Sequence, residues 1–324
     1  MYSTEFADKL IECLTPILED TVTSISKIGD TVNDTLVITT KSDQNLLKLM
    51  TRKPGNPTEQ DRFLKCQYLA KLLRNRGIHV PEVIYADNTE RLISTQKIYG
   101  MQLTEWIEGK TIEQLWDQCS LSVKGELLMK LAKMVATIHQ VELNQSGMID
   151  PVRPEFNTST SWVDYITNTA RVGISSLMEN PIIDNALLAE VEYIYFTRLE
   201  ILQPELDKTC RLIHSDLNQQ NVIVAEGSNE LYLVDWEWAK GGDPYYDLIS
   251  IDEEFLSNNL EFRQLWEEEY GIDLQSLQER LLLYQIHGIL ASCGHGYLYH
   301  NPSEESFKSV EKQLRELVQQ LQDI

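Results

Sequence analysis

Within "LIHSDLNQQNVIVAEGSNELYLVDWEWA" (212–239), His214, Asp216 and Asn221 stand at short fixed spacing, and a further carboxylate, Asp235, ends the apolar run "LYLV". Asp and Asn often close turns by bonding their own backbone, and that use is open to Asp216 and Asn221. Asp235 is harder to explain so, because an uncompensated carboxylate beside an apolar strand is expensive to bury. If "NVIVAEG" and "LYLVDW" pair as a hairpin, Asn221 starts one strand and Asp235 ends its partner, so both could converge on one hard cation. Mg²⁺ suits such a pair, since it keeps several waters and shares its remaining positions with substrate phosphates. Asp216, on the preceding loop, is then left to orient a hydroxyl or take its proton.

"HSDLNQQN" resembles the H-G-D-L-x-x-x-N catalytic loop of the aminoglycoside phosphotransferase and choline-kinase-like enzymes. "LVDWEWAKGGDPYYDL" is similar to their I-D-W-E…G-D-P-x-x-D-L segment. The resemblance is strongest over 210–250 and extends over most of the chain. It implies an α+β, protein-kinase-like, two-lobed fold, with a small antiparallel-sheet N-lobe carrying one main helix and a larger, mostly helical C-lobe. It also implies Mg²⁺- and ATP-dependent transfer to an alcohol, GTP not being excluded as donor. Asp216 is then the catalytic Asp, Asn221 and Asp235 are the Mg²⁺ ligands, and His214 and Asp247 brace the loop. Ser215 departs from the pattern, which has Gly there, so a Gly-specific backbone conformation would be compromised. The segment after Asp235 reaches "GGDPYYDL" too soon to hold the long activation loop of a protein kinase.

Phosphoryl transfer is mainly positioning and charge neutralisation, so the site needs a phosphate-covering loop, a basic residue and a base slot. "IGDTVNDTLVI" (28–38) contains Gly29 and Asn33 and is either that loop, as the resemblance implies, or a plain hairpin turn. Lys48 lies among apolar residues in "NLLKLM"; pointing inward, it needs an anionic partner such as nucleotide phosphates. The alternative is an edge-strand lysine facing water. In the kinases resembled, such a lysine is steadied by a Glu on the following helix, where this chain has Glu59, Asp61, Lys65 and Cys66. "MQLTEWIEGKTI" (101–112) resembles the hinge between lobes, with the base pairing to backbone around Glu105 to Ile107.

The elements that must position these residues follow from periodicity. "SISKIG", "TLVITT" and "NLLKLM" alternate as strands, "EVIYAD" and "RLISTQKI" add two more, and the sheet is expected to have five strands. A helix is predicted from Glu59 to about Asn75, capped by Thr58, with Leu64, Tyr68 and Leu72 on one face and Gly77 stopping it. "MYSTEFADKLIECL" reads as an amphipathic first helix and lacks the basic start of a secretory signal. From 111 the pattern turns helical: Leu127, Leu131, Val135 and Ile138 form a stripe, and helices resume at "SWVDYITNTARVGISSLM" and "NALLAEVEYIYFTRLEIL". Ser303 caps a last helix with Phe307, Val310, Leu314, Leu317 and Leu321 on its apolar side. Two domains are expected, 1–104 for the nucleotide and 105–324 for catalysis and the acceptor.

The 324 residues carry a formal charge of −22, which disfavours nucleic acid and anionic membrane as partners. Five scattered cysteines without CxxC spacing argue against a disulfide framework or zinc site and for a cytoplasmic protein. No apolar run is long enough to span a membrane. From Asp243 to Glu279 eleven acids face one base, Arg263, and "SIDEEF" (250–255) offers Asp252, Glu253 and Glu254 as a cation-binding patch or as a solvated helix face. Trp236, Trp238, Tyr245 and Tyr246 could cage a quaternary ammonium or pack the core. His139, Met134 and Trp116 read as packing residues, and "CGHGYLYH" (293–300) matches no common metal spacing. The expected partners are a nucleoside triphosphate and a small cationic acceptor of the aminoglycoside kind, bound by a monomer or homodimer. Choline-, ethanolamine-, thiamine- or sugar-type acceptors are the alternative, and a nucleotide-binding pseudokinase module is the rival from another class.

Overall fold

The computed structural model describes residues 3–28, 33–55, 57–150, 161–179, 182–256, 259–299 and 303–324. Two compact units result: Met1–Lys124 with Met148–Asn157 and Asn218–Trp238, and Gly125–Gly147 with Thr158–Leu217 and Ala239–Ile324. This division differs from a single cut at 104/105. Strand pairing explains the return of Asn218–Trp238 to the first unit, since Val222–Ala225 is bonded on one side to Leu231–Leu233 and on the other to Gly109–Thr111.

In the first unit, α1 (Thr4–Leu18) is capped by the Ser3 hydroxyl, which accepts from the Phe6 N–H, and it buries Phe6, Leu10 and Leu14 at helical spacing. The sheet comprises β1 (Val22–Lys27), β2 (Asp34–Thr40), β3 (Gln44–Leu49), β4 (Val83–Asp87) and β5 (Met101–Glu105), in the order β1-β2-β3-β5-β4. Five strands are therefore present, but "RLISTQKI" is not among them. It folds on itself as the hairpin Arg91–Ile93 and Gln96–Ile98, turning at Ser94 with φ +54°. The segment expected as hinge instead supplies β5 before leaving the sheet at Glu105. The α1 face packs on Leu36, Ile38, Leu47, Leu49, Met101 and Leu103. Period-two alternation along β3 therefore turns Lys48 to the opposite face of an interior strand, which rules out the edge-strand alternative.

The helix predicted from Glu59 is interrupted at Asp61, whose buried carboxylate takes a hydrogen bond from Asn88. The main part, α2 (Arg62–Arg74), buries Phe63, Cys66, Leu69, Ala70 and Leu73 together with Lys65. The expected face is thus displaced, and Tyr68 is exposed. The buried face runs through Phe63, Cys66, Leu69, Ala70 and Leu73, and Lys65 is buried beside it. The Thr58 side chain lies outside the described residues.

The second unit is built on helices Trp162–Met178, Asn185–Leu206, Gln278–Tyr299 and Glu304–Gln322, which share one apolar cluster. Ser303 caps the last of these, and Phe307, Leu314 and Leu321 are buried along its stripe, as the periodicity requires. Leu127, Leu131, Val135 and Ile138 are all buried in Leu121–Ile138. Trp236 and Tyr246 prove to be packing residues. The Trp236 indole N–H donates to the Leu233 carbonyl within the first unit, and Tyr246 lies against Trp162, Tyr284 and His287 within the second. All five cysteines are free. Among the described residues no helix is long and apolar enough to cross a membrane.

Candidate active site

In the first unit the hairpin Val222–Ala225/Leu231–Leu233 pairs Val222 with Leu233, and the Val234 N–H donates to the Asn221 carbonyl at 2.9 Å. This register sets Asn221 beside the strand end that leads into Asp235. Asn221 is itself held by the Asn218 side chain, which accepts from the Gln220 and Asn221 N–H groups. Asp235, two residues beyond that strand, has φ +63°, a left-handed conformation that Asp enters more readily than most residues with a Cβ. The Lys48 ammonium lies 3.0 Å from Asp235 Oδ1 and 2.8 Å from Glu237 Oε1. Burial alone would lower the Lys48 pKa, but the Glu237 and Asp235 carboxylates raise it well above the ordinary lysine value, so the residue stays charged.

Glu237 is the centre of this cluster. Its carboxylate also accepts from Asn33 Nδ2 at 2.9 and 3.2 Å and lies 3.6 Å from Arg62. Its backbone carbonyl accepts from the Lys65 ammonium at 2.5 Å. Burial pulls Lys65 down to about 8. Neither Glu237 nor Lys65 was marked as a site residue by spacing. Two signals point to Glu237: it is the last residue of the I-D-W-E match, and "RFLKCQYLAKLLR" (62–74) contains no acid to serve as a helix partner for Lys48. Gly29 lies outside the described residues. Glu105 closes β5, where its N–H is taken by the Glu82 carbonyl, so that donor is not offered to a base. Ile107 is half-buried in the segment 106–108 that follows.

In the second unit Asp247 organises the loop that carries Asp216. Its carboxylate accepts from the His214 N–H at 2.7 Å, the Ser215 N–H at 2.6 Å and His139 Nε2 at 3.1 Å. Burial favours the neutral acid, but the hydrogen bond and charge of His139, with His214, outweigh it and hold the Asp247 carboxyl below its usual value. His139 is thus more than packing; Tyr270 meets its other ring nitrogen at 2.6 Å. The Asp216 N–H reaches His214 Nδ1 at 3.3 Å, which ties the loop back on itself.

Ser215, at φ +67°, does occupy a backbone conformation suited to Gly, and its hydroxyl accepts from the Lys240 ammonium at 2.6 Å. Two opposed terms follow. Ser215→Gly relieves the left-handed strain while losing the charged hydrogen bond; Ser215→Ala loses the bond and keeps the strain. Ser215→Ala is expected to be less stable than Ser215→Gly by about 1–2 kcal/mol, measured by chemical denaturation.

Asp252, Glu253 and Glu254 lie on one irregular helical turn, Asp252–Leu256. Burial pushes the Asp252 and Glu253 carboxyls up, and Asp252 Oδ1 is buried with no hydrogen-bond partner. The side chains of 294–300 lie outside the described residues, so the His/Cys cluster there is represented only by Cys293, which packs against the apolar core. Among the described residues, no group of three or more His, Cys, Asp or Glu is arranged to hold a metal. A pair of one amide and one carboxylate, Asn221 and Asp235, instead fits a hard cation completed by water and phosphate oxygens.

The sequence model of the phosphotransferase enzyme family APH matches residues 24–280. Among curated proteins, the "Protein LicA homolog" of Metamycoplasma hominis is 25% identical over 235 residues, covering 64% of this chain and 81% of that protein. Among solved structures, a thermostable mutant of aminoglycoside phosphotransferase APH(4)-Ia in ternary complex with ADP and hygromycin B superposes with a TM-score of 0.70 at 15% identity, covering 96% of this chain and 98% of that one. LicA in complex with AMP gives a TM-score of 0.64 at 18% identity, covering 97% and 98%. The fold is therefore the α+β, protein-kinase-like fold of these enzymes.

Proposed function

Because the chain belongs to the APH phosphotransferase enzyme family, we propose that it transfers the γ-phosphate of ATP, with Mg²⁺, to a hydroxyl of a small cationic molecule. The observation that carries this reading is the Lys48–Asp235–Glu237 cluster beside Asn221. It supplies a fixed cation for phosphate oxygens and an oxygen pair for a hard metal ion, which are the parts phosphoryl transfer requires. Asn221 and Asp235 would hold Mg²⁺, which when bound neutralises charge on the transferring group. Lys48 orients the phosphates, and the backbone at 106–107 receives the base. Asp216, presented by the Asp247-braced loop, orients the acceptor hydroxyl and takes its proton.

The cationic acceptor rests on the Asp252–Glu254 turn. Within it Glu253 and Glu254 are exposed, and an ammonium set against an ionised carboxylate forms a charge-assisted hydrogen bond. Trp236 and Tyr246 serve as packing residues, so Trp238 and Tyr245 are the candidate aromatics with exposed surface for a quaternary ammonium. The ternary complex of an aminoglycoside phosphotransferase with ADP and hygromycin B accords with a nucleotide and an aminoglycoside-like acceptor.

The test is Mg·ATP turnover against aminoglycosides, choline, ethanolamine, thiamine and neutral sugars. Acceptor-stimulated ADP release with an amino sugar is expected. Stimulation by choline alone would move the acceptor to the alternative class, and absence of nucleotide binding with every acceptor would remove the reading.

A further inference from the structure

A lysine that binds phosphate must be held by an acid, or it collapses onto whichever carboxylate is near. Here Lys48 meets two, Asp235 and Glu237. The two are not equivalent. Asp235 is the carboxylate that the proposed metal would claim, and its side chain is 36% exposed. The Glu237 side chain is 8% exposed and is tied down by Asn33, Arg62 and Lys48, while Lys65 grips its backbone. Helix α2, which could have supplied an acid, presents Arg62 and Lys65 instead. The polarity is inverted: the helix gives the cations and the turn after Asp235 gives the anion.

We propose that Glu237 is the positioning residue for Lys48, and that α2, through Arg62 and Lys65, fixes Glu237 in that role. With Asp235 held by Mg²⁺, Lys48 would keep Glu237 and would have its remaining donors for the phosphates. The metal ligand and the anchor of the phosphate lysine then lie two residues apart on one turn. Their spacing follows from the short helical turn Trp236–Trp238 and not from where α2 sits along its axis. This rests on the nucleotide reading of the preceding subsection.

Glu237→Gln, Glu237→Asp, Lys48→Met and the Lys48→Met/Glu237→Gln double variant separate the possibilities, with kcat and KM measured below each variant's melting temperature and Mg·AMP-PNP affinity by calorimetry. Glu237→Gln is expected to lower kcat on the order of 10- to 100-fold, since a misplacement of about 1 Å has that effect, with the acceptor KM unchanged. Glu237→Asp, which keeps the charge on a shorter stem, is expected to fall between wild type and Gln. The double variant should be no slower than Lys48→Met alone, because both changes remove one interaction. A merely structural Glu237 would lower the melting temperature while leaving kcat and KM at wild-type values, and that result overturns the proposal; so do additive losses in the double variant. If Glu237→Gln does not fold, Glu237→Asp with wild-type kcat overturns it equally. Wild-type protein that binds no Mg·AMP-PNP overturns the nucleotide reading and this inference with it, whereas binding by wild type with unaltered variants overturns the inference alone.

Discussion

Asp216→Asn is expected to lower kcat for acceptor phosphorylation about 10²- to 10⁴-fold, the usual contribution of a positioned proton acceptor. The substitution keeps the shape of the side chain and the Asp216 N–H bond to His214, so the loop stays in place. If Asp216 acts on the acceptor hydroxyl and not on the nucleotide, nucleotide affinity should stay within a factor of about two to three, below the tenfold that 1.4 kcal/mol represents. The measurement is kcat and KM for both substrates, with Mg·AMP-PNP affinity alongside. An equal loss of nucleotide binding would mean that Asp216 works on the metal instead of the hydroxyl, and unchanged kcat would remove it from the reaction.

Asp247→Ala is expected to cost about 3–5 kcal/mol of stability, since it leaves buried donors without their charged acceptor. The donors are the His214 and Ser215 N–H groups and His139 Nε2. Asp247→Asn retains an acceptor and should lose less. The pH dependence follows from the depressed carboxyl of Asp247. A carboxylate whose folded value lies below its unfolded value of about 3.9 contributes fully above that value, and the contribution is lost as pH falls through the folded one. The stability gap between wild type and Asp247→Asn should thus be constant near neutrality and close only below about pH 4. Urea unfolding at several pH values measures it. A gap that opened as pH fell would contradict the sign. Activity should fall with the same substitution, because the two N–H bonds are what hold the backbone leading into Asp216.

How much of this was legible beforehand differs by residue. The hairpin register, with Asn221 returning beside Asp235, was readable because strand alternation and a short polar turn are local properties. The inward Lys48 was readable too, as one charge inside "NLLKLM". Its partner was not. The I-D-W-E match includes Glu237 but does not say what its carboxylate meets, and its burial comes from packing of the turn Trp236–Trp238 against α2. The same packing buries Lys65 beside the apolar face of α2. His139 was read as packing for a like reason: its bond to Asp247 spans 108 positions.

By itself the sequence determined the chemistry on offer: the residue types at 214–221 and 235–247, the strand and helix periods, and the family those motifs resemble. These depend on order along the chain, which periodicity and spacing record. Tertiary structure alone decided which charges meet. It gave Lys48 to Glu237, turned Arg62 and Lys65 of α2 onto Glu237, and placed Asp247 against the backbone N–H groups of the loop of Asp216. Buried charges must be neutralised by whatever the fold brings within about 3 Å, and that proximity is a property of packing.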